Sequence, residues 1–307
     1  MLKVGVQSGG WYKDSDPIGS FEFIRSCGFD AVDFNIDIYF STKELASSGK
    51  KSELFEKPVS EVLDFFAPLK EASEKTGVSI CQMHAPFPVY FDGKNEVNEY
   101  ILTVLDKCFA VCEYVGCPAI VVHPTTFDPA EEYERNLEVY RSLIPLIKKY
   151  KGVKICLENL IGEQENGVFR EGRLSDARDC CEMLDTLNRD AGGDYFGFCF
   201  DIGHANLARR NIKHFLKTLG NRLTVLHIHD NDGIKDMHMI PYSCLQTTKT
   251  LFCDWNGFVE GLKEIGYQGV LCFETFRVLR FYPKAVHSDA LKLISAIGHY
   301  WAEELTK

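Results

Sequence analysis

Apolar positions along the chain fall into two alternating textures. Short runs, nearly continuous in Val, Ile, Phe and Cys, read "KVGVQS" (3–8), "FDAVDFN" (29–35), "VSICQMH" (78–84), "AIVVH" (119–123), "VKICLE" (153–158), "FGFCFD" (196–201), "LTVLHIH" (223–229) and "GVLCFE" (269–274). Strands buried on both faces have this texture, whereas strands with one wet face alternate. Longer stretches with helical spacing lie between them. Residues 59–76 carry Val62, Leu63, Phe66 and Leu69 on one stripe, 97–115 and 131–150 repeat the pattern, and 284–304 aligns Leu291, Ile294 and Ile297. Glycines in "TGV" and "YKGV" stop two of these helices ahead of the next strand.

Strands alternating with helices predict a parallel sheet. Eight such units predict an α/β fold of the closed (β/α)8 TIM barrel type, one domain over residues 1–307. The second unit is the least regular, because "IDIYFSTKELASSGKKSELFEKPVS" is long and polar before its helix begins.

Polar residues close the apolar runs: Gln7, Asp33 or Asn35, His84, His123, Glu158, Asp201, His227 and Glu274. In a barrel those ends converge on the face where active sites form. One polar residue leaving a strand for solvent is ordinary; a succession of His, His, Glu, Asp, His and Glu is not. Glu158, Asp201, His227 and Glu274 end the last four strands and make a hard, mostly oxygen ligand set. Such a set suits one divalent ion, Mn²⁺, Mg²⁺, Co²⁺ or Zn²⁺. Neighbouring strands lie about 4.8 Å apart, so four adjacent ends can reach one ion. Clustered acids need a cation to offset their repulsion. Further candidates surround them: His84 in "MHAPFP", His123 in "VVHPTT", His204 in "DIGH", and Asp236 and His238 in "DMH", which an extended segment would place on one side. Each is suited to holding a ligand in place, binding a further ion or touching a substrate. His214, His287 and His299 fall on predicted helices and read as surface or packing residues.

Composition narrows the function classes. The 307 residues are 45% hydrophobic, enough for a sizeable core. A net charge of −10 argues against a surface built for nucleic acid, which is usually basic. No apolar run is long enough to span a bilayer, and the first residues lack the apolar centre of a signal peptide. The twelve cysteines contain no C-x-x-C pair, and Cys81, Cys156, Cys199 and Cys272 lie inside strand-like runs. They read as reduced core residues of a cytoplasmic protein.

The series "MHAPFP", "VVHP", "CLENL", "FDIGHANL", "HIHDNDG", "DMH" and "FET" resembles the xylose isomerase-like TIM barrel superfamily, and within it the sugar phosphate isomerase/epimerase group. The resemblance runs from the first strand to the last helix. It implies one divalent ion on Glu158, Asp201, His227 and Glu274, the two glutamates doubling as acid and base, and His204 against substrate. His227 is chosen over His229 on the family's H-x-x-D register. The superfamily also holds apurinic-site endonucleases (family 2) with three zinc ions on nine ligands, whose counterparts here are His84, His123, Glu158, Asp201, His204, His227, Asp236, His238 and Glu274. The chain departs from the pattern after "DMH", where "MIPYSCLQTTKTLFCDW" lacks the usual glycines.

The resemblance therefore implies a metal-dependent isomerase or epimerase acting on a small keto-sugar or sugar derivative. Glu158 and Glu274 would exchange a proton with the substrate through an enediolate. Glu163 or Gln164 would contact the sugar, Arg277 would meet a phosphate or carboxylate or else solvent, and Phe87, Trp11 and Tyr12 would either wall the sugar ring or pack inside the fold. The alternatives are the tri-zinc endonuclease and a lyase or hydratase acting on 3-oxo-glycosides. Few Lys or Arg in the loops after strands three, four and seven speak against the nuclease. Barrels of this size often pair, so a homo-oligomer is compatible.

Overall fold

Each of the eight apolar runs forms a strand, most of them trimmed at the ends. In chain order the strands are β1 (Val4–Gln7), β2 (Ala31–Phe34), β3 (Ser79–His84), β4 (Ala119–Val121), β5 (Lys154–Glu158), a hairpin of β6 (Ile161–Glu165) and β7 (Val168–Glu171), then β8 (Phe196–Asp201), β9 (Leu223–His227) and β10 (Leu271–Phe273). The computed structural model describes residues 1–165, 168–244 and 252–307. All strands but the hairpin form one parallel sheet, ordered β10-β1-β2-β3-β4-β5-β8-β9. Ile228, just past β9, bridges Phe273, and Glu274 N donates to Ile228 O at 3.0 Å, so the sheet closes on itself. The fold is a TIM barrel in a single domain.

The helices are α1 (Pro17–Ser26), α2 (Thr42–Ser48), α3 (Val59–Thr76), α4 (Asn95–Val115), α5 (Glu132–Ile147), α6 (Ala177–Ala191), α7 (Ile202–Leu207), α8 (Ile212–Leu219), α9 (Trp255–Glu264), α10 (Val278–Phe281) and α11 (His287–Glu304). The helix predicted over residues 59–76 coincides with α3, which ends on Gly77 at φ 74°, a conformation that glycine adopts without strain. Two expectations shift, and one element is new. The last helix begins at His287 because Lys284–Val286 forms a 3-10 turn. The second connection folds as a 3-10 turn (Ile36–Tyr39) and α2, the latter capped by the Ser41 hydroxyl. The β6–β7 hairpin went unread, although the Asn-Gly dipeptide at 166–167 is a known hairpin signal. No described helix is long and apolar enough to cross a membrane.

The apolar interior has two parts. Large side chains such as Phe21, Phe34, Phe66, Phe109, Phe198, Phe258 and Trp301 fill the ring between sheet and helices. Inside the barrel the apolar clusters hold only small residues: Ala119, Val121, Cys156, Cys199 and Val225, and Ala31, Cys81 and Cys272 against Val270. All twelve cysteines are free thiols.

Two irregularities aim the site. Along β2 and β3 the register passes from Val32↔Ile80 to Asp33↔Gln82, leaving Cys81 as an extra residue on β3. Such a bulge changes the phase of side-chain alternation. It turns Gln82 and His84 inward, while Met83 packs outward against Cys112. The second irregularity, between β8 and β9, leaves Thr224 extra. It needs Gly197, where a Cβ would lie 2.0 Å from Thr224 Oγ1.

Candidate active site

The strand ends do converge. Glu158 (end of β5) and Glu274 (after β10) are both buried and flank one imidazole: His227 Nδ1 lies 3.3 Å from Glu158 Oε2 and 3.7 Å from Glu274 Oε2. His123 Nε2 sits 2.7 Å from Glu158 Oε2, and His204 Nδ1 sits 3.2 Å from Glu158 Oε1. His84 Nε2 is 3.5 Å from Glu274 Oε1. Gln7, at the end of β1, donates to that same Oε1 at 3.0 Å.

Asp201 ends β8, the strand next to β5. It caps α7, its Oδ1 accepting from His204 N at 2.6 Å, and its Oδ2 lies 3.1 Å from His229 Nε2. Asn159 clamps its backbone, donating to Asp201 O and accepting from Asp201 N. Thus the imidazole facing Asp201 is that of His229, whereas His227, on the same face one step deeper, faces Glu158 and Glu274. Period two places both histidines inward, and only the relative placement of neighbouring strands, invisible in the sequence, decides which carboxylate each one meets. Gly203 passes so close to His229 that a Cβ there would sit 1.9 Å from the ring.

Asp236 and His238 are paired, His238 Nε2 lying 2.9 Å from Asp236 Oδ2. The segment is not simply extended: His238 has φ 49°. Its ring is fixed from both ends, by Asp236 and by Glu274 O at 3.0 Å, and it stacks on His229 with centroids 4.0 Å apart. Left-handed backbone at a non-glycine residue costs about 1–3 kcal/mol and persists where surrounding contacts impose it. Arg277, 40% exposed, donates to Asp236 O and keeps Nη2 3.6 Å from Asp236 Oδ2. The side chains of Glu163 and Gln164 lie outside the described residues. Phe87 meets His123 edge-on at 4.9 Å, but Trp11 and Tyr12 pack with Phe21 and Phe34 rather than forming a wall for a ring. His214, His287 and His299 stand apart from the mouth, on or at the start of helices.

The charges here depend on one another. Burial would raise the Glu158 carboxyl, yet His227, His123 and His204 hold it well below the usual carboxylate range. Glu274 is likewise held well below that range against burial, by His227, His238 and His84. Burial also works against a charge on His229, but Asp201, Asp236 and Glu274 together outweigh it and push the pKa up to about 9.

These residues fit a divalent cation. Both ring nitrogens of His227, which is 1% exposed, and Nε2 of His84 have no hydrogen-bond partner among the described residues. An unpartnered buried polar group is costly. Ligand atoms come within 4.8 Å of one another in several sets, among them His84, His123 and Glu158; Asp201, His204 and His229; and His229, His238 and Glu274.

Fold and mouth together define a barrel protein with buried carboxylates and imidazoles gathered at the C-terminal ends of its strands. The chain belongs to the xylose isomerase-like TIM barrel family, whose model matches residues 21–297. Among curated relatives it is 24% identical to protein y4fM of Sinorhizobium fredii, over 92% of this chain and 90% of that one. It is 24% identical to the inosose isomerase of Bacillus subtilis, over 62% of this chain and 65% of that one. It is also 24% identical to the probable endonuclease 4 of Mycoplasma pneumoniae, over 51% and 56%. Two solved structures share the fold. A D-tagatose 3-epimerase-like protein superposes with TM-score 0.69 at 21% identity, covering 99% of this chain and 98% of that one. The IolI protein with a bound zinc atom gives 0.65 at 17%, again covering 99% and 98%.

Proposed function

We propose that the protein is a divalent-metal-dependent isomerase or epimerase of a small keto-sugar or related polyol ketone. The observation that carries this reading is the pair Glu158 and Glu274, both buried, bracketing His227 Nδ1 at 3.3 and 3.7 Å. The names of similar proteins, an inosose isomerase and a D-tagatose 3-epimerase-like protein, lean the same way. Glu158, Asp201 and Glu274 would hold the ion with an imidazole at or just past the end of β9, His227 by the sequence reading or His229 by its contact with Asp201. When bound, the ion polarises the substrate carbonyl and offsets the negative charge created by proton loss. One glutamate takes the proton from the carbon beside the carbonyl and the other returns it. Return to the opposite face of that carbon epimerises; return to the former carbonyl carbon, with the hydroxyl proton passing to the former carbonyl oxygen, interconverts ketose and aldose. Gln7 orients Glu274 through Oε1, and His204 orients Glu158 through its own Oε1. Arg277, which keeps Nη2 3.6 Å from Asp236 Oδ2, is the cation that would meet an anionic substituent.

The test is deuterium incorporation from D2O into a panel of keto-sugars, followed by NMR. The protein should exchange one substrate C–H, and Glu274→Gln should lose that exchange while still taking up the ion. Full exchange in Glu274→Gln would sink the two-glutamate scheme, and release of a leaving group instead of exchange would move the protein to the lyase or hydratase class. A second reading, hydrolysis at apurinic sites with three zinc ions, draws on the extra sets His84–His123–Glu158 and Asp201–His204–His229. Elemental analysis separates the two: one ion per chain favours the sugar reading, three the nuclease.

A further inference from the structure

Asp33 has no part in the scheme above, yet it lies beneath the centre of the mouth and is 0% exposed. The β3 bulge pairs it with Gln82, whose Nε2 donates to Asp33 Oδ2 at 3.1 Å. The other carboxylate oxygen, Oδ1, is 3.1 Å from His84 Nδ1. Oδ2 also lies 3.7 Å from His227 Nε2, within ion-pairing range though beyond a hydrogen bond. The two imidazoles are stacked, centroids 4.5 Å apart and 13° from parallel. One carboxylate therefore faces one nitrogen of each ring. The opposite nitrogens point the other way: His84 Nε2 to Glu274 Oε1 at 3.5 Å, and His227 Nδ1 to Glu158 Oε2 at 3.3 Å and Glu274 Oε2 at 3.7 Å. Neither of these two nitrogens has a hydrogen-bond partner among the described residues.

A carboxylate that takes the N–H of one imidazole nitrogen settles which nitrogen keeps the proton and turns the other toward the ligand. We infer that Asp33 is a positioning residue: it keeps hydrogen on His84 Nδ1, so that His84 Nε2 is presented, beside His227 Nδ1, to the Glu158–Glu274 pair as a nitrogen donor for a divalent cation. This rests on the proposed cation-dependent reading for its ligand, though the proton placement stands on geometry alone. Gln82 has a matching role. Its Oε1 lacks a hydrogen-bond partner among the described residues, so a flipped amide can accept the extra N–H that Asp33→Asn would bring. That variant should therefore keep its bond to His84, whereas Asp33→Ala cannot.

The experiment is long-range ¹H–¹⁵N NMR on ion-free protein labelled at histidine, with Co²⁺ titration of the same samples. Wild type should show His84 Nδ1 carrying hydrogen, whether or not Nε2 does. Asp33→Ala should move hydrogen to Nε2 and weaken Co²⁺ binding by about 10–100-fold; Asp33→Asn should keep the wild-type pattern. A hydrogen-free His84 Nδ1 in wild type overturns the assignment, and this needs no variant to fold. Wild-type Co²⁺ affinity in a folded Asp33→Ala overturns it as well. Wild type that takes up no Co²⁺ refutes the cation reading instead, while the spectrum still judges the proton placement.

Discussion

Two layers of the barrel interior sit two residues apart on the same strands and have opposite chemistry. Ala31, Cys156, Cys199, Val225 and Cys272 form the lower layer, and Asp33, Glu158, Asp201, His227 and Glu274 form the upper one. The layers are almost equally buried, with Cys272 1% exposed and Glu274 8%. Burial therefore does not distinguish them; the cost of burial does. Small apolar groups stabilise the lower layer by packing alone. Ionised groups in the upper layer each lose several kcal/mol of solvation and must recover it from partners. A layer that spends stability in this way is where binding chemistry is to be sought.

The largest effect that can break the comparison is on turnover. Glu158→Gln and Glu274→Gln should each slow substrate proton exchange by about 10²–10⁴-fold, the usual worth of a positioned acid or base. Cys156→Ala and Cys272→Ala, directly beneath, should leave the exchange rate within a few-fold. Deuterium incorporation compares all four, and equal losses in both layers would erase the distinction.

Removing the cation comes next. If the upper layer recovers its burial cost by binding a divalent ion, chelation should lower stability by about 2.7 kcal/mol relative to protein held at a hundred times its Kd. Calorimetry with and without chelator checks this, and an unchanged midpoint would leave the histidines as the only counter-charges.

Much of this layering was legible in the sequence. The eight apolar runs gave every barrel strand, and the residue closing each run marked the mouth. What stayed hidden depends on geometry off the strand axis. Met83 and His84 exchange faces because Cys81 is an extra residue, and no periodicity in "SICQMH" reveals that bulge. His227 and His229 share a face by alternation, and spacing gives their order in depth but not which of them meets Asp201. Gln7 and Asp33 were seen only as polar strand ends, because their partners, Glu274 and His84, are 267 and 51 residues away along the chain.

A smaller effect concerns the floor on which the lower layer rests, one step beneath Cys199. Gly197→Ala would place a Cβ 2.0 Å from Thr224 Oγ1, next to the β9 irregularity. Overpacking of this kind costs about 1–3 kcal/mol. Thr224→Gly should relieve part of it, and the double-mutant cycle in chemical denaturation should return a coupling of about 0.5–3 kcal/mol. Strict additivity would mean that the two strands move apart without penalty.

The smallest expected difference asks whether the lower layer rejects polarity as such or only polarity without a partner. Val121→Thr keeps the shape but puts a hydroxyl among Ala119, Cys156, Cys199 and Val225. That should cost about 1–3 kcal/mol, the price of a buried group lacking a hydrogen bond. Cys81→Ser also introduces a hydroxyl, but the Cys81 thiol already donates to Val32 O at 3.3 Å, and the serine can inherit that acceptor. Its loss should stay below about 1 kcal/mol. Urea unfolding of the two variants side by side measures the gap. If Cys81→Ser is as costly as Val121→Thr, the lower layer excludes any hydroxyl, and the boundary between the layers is one of polarity rather than of available partners.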